Sequence, residues 1–136
     1  MTQEQKDLLL KDLCARLPYN PMVEYKGEAY NVLGITCERL ILCKPFMSCA
    51  LNEYPLVEEV KPYLFPMSSM TEEQREKYES LCETSYSRHY ECGPIAYNTK
   101  FHDTVESIDY LIENHFDYRG LIPKGLAEDA TGLNIY

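Results

Sequence analysis

The chain has 136 residues, of which 45% are hydrophobic and 26% charged, so a single core is expected and neither wholesale disorder nor a fibrous repeat. Its 13 Lys and Arg against 22 Asp and Glu give a formal charge of −9, which repels nucleic-acid phosphates and anionic membrane surfaces. No apolar run approaches the roughly 20 residues of a membrane span, and the polar stretch Thr2 to Asp12 has no export-signal pattern, so a cytoplasmic chain with no nucleic-acid or membrane partner is expected.

Thr2 with Gln5 three residues on is a capping box, and Leu10, Leu13, Cys14 and Leu17 recur at helical spacing, predicting a helix over 2–17 that stops at Pro18. From Met22 to Lys44 the chain is rich in Val, Ile, Leu and Tyr. Strands are expected at about 22–26, 28–35 and 38–44, joined by short turns at Lys26-Gly27 and around Thr36 to Glu38. This is an antiparallel meander with Tyr30 and Val32 on one face and Ala29, Leu33 and Ile35 on the other. Pro45, Pro55, Pro62 and Pro66 then interrupt any regular element, leaving one short helical turn near Leu56 to Tyr63.

Thr71, Glu72, Glu73 and Gln74 make a second capping box and open a helix to about Cys82, with only Met70, Tyr78 and Leu81 facing inward. Residues 84–102 carry no sustained period and read as an ordered loop or two short strands. Asp103 with Glu106 starts a third helix that buries Val105, Ile108, Leu111, Ile112 and His115 or Phe116, and Gly120 caps its end. The tail, 121–136, alternates apolar and turn residues. The fold class that results is a single α+β domain over 1–136: a three-stranded antiparallel β-meander packed against N-terminal and C-terminal helices.

Six cysteines without an export signal are expected to stay reduced, and the absence of any CxxC removes the usual zinc-ribbon and thioredoxin spacings. The best metal-ligand set is Cys82, His89, Cys92 and His102, but their spacing does not form the paired knuckles of a zinc site, and no cofactor is expected. Cys92 beside Gly93, with His89 or His102 as base and Asp103 as orienter, has the residue types of a thiol enzyme without a surrounding signature. No GxxxxGK[ST], GxGxxG, HExxH, GxSxG or EF-hand pattern occurs.

The most unusual feature is twelve tyrosines and no tryptophan, because tyrosine joins a large apolar ring to a polar tip and is enriched at protein interfaces. Tyr86, Tyr90 and Tyr97 cluster in the least regular segment, and Tyr118 with Arg119 forms a second candidate hot spot, where Arg119 pairs with Asp117 or holds the carbonyls at the helix end. These residues point to an unidentified protein partner and no catalysis. Two alternatives stand beside that reading: a thiol enzyme or zinc protein using residues 82–103, and an acidic mimic of nucleic acid, which scattered Lys and Arg residues would interrupt.

Two stretches carry a resemblance: Val60-Lys61-Pro62-Tyr63-Leu64-Phe65-Pro66-Met67-Ser68-Ser69-Met70-Thr71-Glu72-Glu73, and Tyr110-Leu111-Ile112 followed by His115-Phe116-Asp117-Tyr118-Arg119-Gly120-Leu121-Ile122-Pro123-Lys124-Gly125-Leu126-Ala127. The chain resembles small uncharacterised proteins of phages and mobile elements of gut bacteria. Phe65 departs from that group, standing where it is expected to carry a basic residue. The resemblance implies an accessory gene product and brings no substrate, cofactor or catalytic residue with it.

Overall fold

The computed structural model describes residues 1–45, 52–89 and 96–136, with side chains for all of them except 86–89 and 96–99. These residues fall into two compact units, one formed by 1–69 with 112–136 and the other by 70–111.

In the larger unit, α1 (Gln3–Arg16) begins as its sequence predicts: the Thr2 hydroxyl accepts from the Gln5 amide and the Gln5 side chain accepts from the Thr2 amide. Leu17–Tyr19 tightens into a 3₁₀ turn at Pro18. The buried stripe is Leu9, Asp12, Leu13 and Arg16, whereas Cys14 is exposed and Leu10 and Leu17 are half-buried, which corrects the expected inward face. Positions 9, 12, 13 and 16 lie on one helical face, so a carboxylate and a guanidinium are carried into the core beside two leucines.

Three strands follow close to where they were expected, β1 (Met22–Tyr25), β2 (Glu28–Thr36) and β3 (Arg39–Cys43), paired antiparallel in sequence. Lys26 and Gly27 both have positive φ, 50° and 80°, the geometry of a two-residue hairpin turn that follows strand twist. Tyr30 and Val32, expected on one face, are both buried, while Leu33 is exposed; the register slips between Val32 and Gly34, a bulge that the alternating pattern did not announce. The sheet is not a three-stranded meander. A fourth strand, β4 (Lys61–Leu64), pairs antiparallel with β1, and a short β7 (Glu128–Asp129) pairs parallel with β4, giving a mixed sheet in the order β3-β2-β1-β4-β7. Pro62 hid β4 from sequence reasoning; the predicted helical turn is only the 3₁₀ turn Val57–Glu59 ahead of it. The free edge of β3 is covered by 53–56, through bonds from Leu40 to Pro55 and in both directions between Leu42 and Glu53.

β1 and β4 bury residues of both faces. Leu9 and Leu13 of α1 pack with Val23, Val32, Leu40, Leu42, Val60 and Leu64, while Met22, Tyr63 and Ala130 form a smaller cluster joined by Phe65 and Ile135. The carboxyl-terminal tail is therefore a structural layer. Tyr136 Oη accepts from the Met22 amide and donates to the Tyr63 carbonyl, both at 3.0 Å, fastening the tail to β1 and β4.

The smaller unit holds α2 (Glu72–Leu81), capped by Thr71 and Gln74 as expected and without a fully buried residue, followed by a hairpin of two seven-residue strands, β5 (Glu83–His89) and β6 (Ala96–His102). The third helix, α3 (Val105–Glu113), is capped by Thr104 and not by Asp103: the Thr104 hydroxyl accepts from the Ser107 amide at 3.1 Å, and Ser107 Oγ accepts from the Thr104 amide at 2.7 Å. Val105, the first residue of the helix, is exposed. The helix also ends well before Gly120, at Glu113, and His115 at φ 63° reverses the chain so that Phe116 lies outside the helix.

Candidate functional site

In the larger unit, the residues with the most chemistry gather where the end of α1 meets 115–119. Phe65, just beyond β4, pins that loop: its amide donates to the His115 carbonyl and its carbonyl accepts from the Asp117 amide, each at 2.8 Å. This places the Phe116 carbonyl against Arg16, whose Nη2 donates to it at 2.7 Å. Arg16 also donates through Nε to Asp12 Oδ2 at 2.7 Å and through Nη2 to Asp12 Oδ1 at 3.2 Å, and neither residue is exposed to solvent.

The Tyr118 ring is flanked by both guanidiniums, with Arg16 Cζ 5.8 Å and Arg119 Cζ 4.7 Å from its centroid. Burial raises the pKa of its hydroxyl, against the opposing pull of Arg119. Arg119 Nε lies 3.2 Å from Asp12 Oδ1, so its ionic partner is Asp12 and not Asp117. Asp117 instead accepts from the Leu121 and Ile122 amides at 2.8 and 2.9 Å, ordering the turn after Gly120. His115 stacks on Tyr136 with ring centroids 3.5 Å apart, and its pKa is lowered to about 4 by burial and then by the Arg16 charge. Tyr118 and Arg119, read from the sequence as a candidate hot spot, are half-buried parts of an arginine-rich cluster. Sequence reasoning passed over Arg16 and Asp12 and took His115 only as a candidate for burial in the third helix. The available signal was the i,i+4 Asp12/Arg16 pair on the same helical face as Leu9 and Leu13.

The smaller unit presents a different surface. Residues 70–111 hold nine carboxylates against four Lys and Arg, so 42 residues carry −5 of the molecule's −9. An open cleft of about 690 Å³ beside the start of α3 is lined by Glu83, Asp103, Thr104, Val105, Glu106, Ile108 and Asp109. Among the described residues, Glu83, Glu106 and Asp109 make no ion pair or side-chain hydrogen bond, while Asp103 accepts from Tyr78 Oη and from Ser107 Oγ. That acceptor raises the Tyr78 pKa further, after burial. Val105, expected in the core, is 75% exposed on this cleft.

The remaining sequence candidates lie in the same unit. In the hairpin ladder Tyr86 stands opposite Thr99, Tyr97 opposite Arg88, and His89 opposite Ala96; the side chains of these three candidates lie outside the described residues, as do Tyr90 and Cys92 altogether. His102 Nε2 is 2.7 Å from Ser85 Oγ, and the half-buried Cys82 sits beside the Tyr78 hydroxyl. Asp103 is engaged by Tyr78 and Ser107, so its place next to His102 in sequence does not make it that ring's partner. Among the described residues no group of three or more His, Cys, Asp or Glu side chains is arranged to hold a metal ion, and Cys14, Cys37 and Cys82 are free thiols.

The chain matches no family model, no curated protein and no solved structure. A reading of its function rests on its own residues.

Proposed function

We propose that the protein acts by binding another protein, without catalysis of its own, as an accessory product of the phage or mobile-element setting that its sequence resemblance implies. The observation that carries this is Val105, 75% exposed in a cleft walled by four carboxylates of which three are unpartnered. A β-branched residue at a helix start gains nothing from water, and unpaired like charges around it repel one another; a partner supplying an apolar contact and cations relieves both. The partner is accordingly a protein segment in which Lys or Arg flanks an apolar side chain. Charge at the rim speeds encounter, and the enclosed apolar contact slows release.

A random peptide library selected on the immobilised full chain tests this. Enriched peptides are expected to carry flanking Lys or Arg around an apolar residue and to bind about tenfold more weakly to Val105→Asp and to a Glu106→Gln/Asp109→Asn variant, the equivalent of one well-packed contact. Val105 is exposed, so its replacement leaves the fold intact. Enriched peptides without basic residues, or equal binding to both variants, would overturn the reading.

A further inference from the structure

The cluster at the end of α1 is incomplete as a hydrogen-bonding arrangement. Arg16 is fully buried and has five N–H groups; Asp12 and Phe116 accept from Nε and Nη2, while Nη1 has no acceptor. Two more buried nitrogens of the same cluster, Arg119 Nε and His115 Nδ1, also lack a hydrogen-bond partner; Arg119 Nε is near Asp12 without the alignment of a bond. Buried polar groups in proteins are almost always satisfied, and three orphaned nitrogens in this part of the fold are a departure that a bound acceptor would relieve. The charges agree. Two guanidiniums have Asp12 as their ion-pair partner, and His115 stays neutral near pH 7.

We propose that Arg16 and Arg119, with His115 beside them, bind one small oxyanion, the carboxylate or phosphate group of a small free acid. Arg16 Nη1 and Arg119 Nε donate to its oxygens, as guanidinium groups do toward planar carboxylate and phosphate, and His115 Nδ1 donates a third bond in the tautomer that carries its proton there. The Tyr118 ring lies within cation–π distance of both guanidiniums. Arg119, with 20% of its side chain exposed, is the outer of the two and the side from which the ligand arrives.

The test follows the arginine Nε–H signals of the full chain by NMR during titration with sodium acetate, with sodium phosphate and with sodium chloride at matched ionic strength. The expected result is a saturable shift of the Arg16 and Arg119 signals with acetate or phosphate; saturation by acetate alone assigns a carboxylate ligand, and by phosphate alone a phosphate ligand. Arg119→Gln is expected to weaken that binding at least tenfold while leaving the amide spectrum of the sheet unchanged, and Arg119→Lys, which keeps the charge but loses the Nε–H, serves in its place where the glutamine variant does not fold. Identical, unsaturated responses to all three salts would overturn the proposal, as would undiminished binding by the Arg119 variant.

Discussion

Asp12 and Arg16 are fully buried and hold each other, and Arg16 also satisfies the Phe116 carbonyl that ties 115–119 to the rest of its unit. Removing one member strands the other's charge. Arg16→Met is expected to lower unfolding stability by about 3–5 kcal/mol in urea melts, whereas Asp12→Leu/Arg16→Met, which removes both charges together, loses much less. A single substitution costing under about 1 kcal/mol would show that the pair is solvated in solution. His115 makes a separate prediction. Its pKa falls from an ordinary 6.5 to about 4 in the fold, so between these values the unfolded chain binds more protons than the folded one. Its contribution to stability is fully present above about pH 6.5 and lost as the pH falls toward 4. The stability of His115→Phe, which keeps an aromatic ring on Tyr136, is expected to decline less over that window than that of the parent chain, read as the difference between the two urea midpoints at each pH. At this scale the sequence showed the residue types and concealed their neighbours: Arg119 faces Asp12, more than a hundred positions away, and nothing local in Asp117-Tyr118-Arg119 distinguishes that partner from Asp117.

Local capping chemistry made several elements legible. Thr2/Gln5 and Thr71/Gln74 act through bonds between residues three apart, which a sequence displays directly, and both helices start where those boxes place them. Elements defined by distant partners were not legible. β4 contains a proline and only four residues, and it is a strand because β1 and β7 flank it; β7 itself is two residues long. In the third helix Thr104 displaces Asp103 as cap, and Val105, expected inside, is exposed. Two measurements address this scale. Thr71→Ala is expected to cost α2 about 1 kcal/mol, seen as roughly fivefold faster amide exchange over 72–81, with little change over 22–43. Tyr136→Phe keeps the ring and loses the hydroxyl that bridges the Met22 amide and the Tyr63 carbonyl, and is expected to lower stability by about 1 kcal/mol in thermal or urea unfolding.

At the scale of the molecule, charge and apolar packing are divided unevenly. The unit built from 1–69 and 112–136 contains the mixed sheet, both clusters of buried apolar residues and surface ion pairs such as Lys6–Glu58, Lys44–Glu28 and Lys61–Glu128. The unit of 70–111 has a surface helix, a hairpin and an excess of unpaired carboxylates around an exposed valine. Among the described residues no helix is long and apolar enough to cross a membrane. A net charge of −9 was evident from composition, but its concentration in one unit depends on where the chain turns back on itself, and the α+β class was legible while the number and direction of the strands were not. The most direct test of the proposed function maps the amide shifts of the full chain as a selected basic peptide is added. The account predicts changes centred on Glu83 and on 103–109 that weaken steeply as salt is raised; changes centred on 115–119 or on the sheet, or binding indifferent to salt, would contradict it.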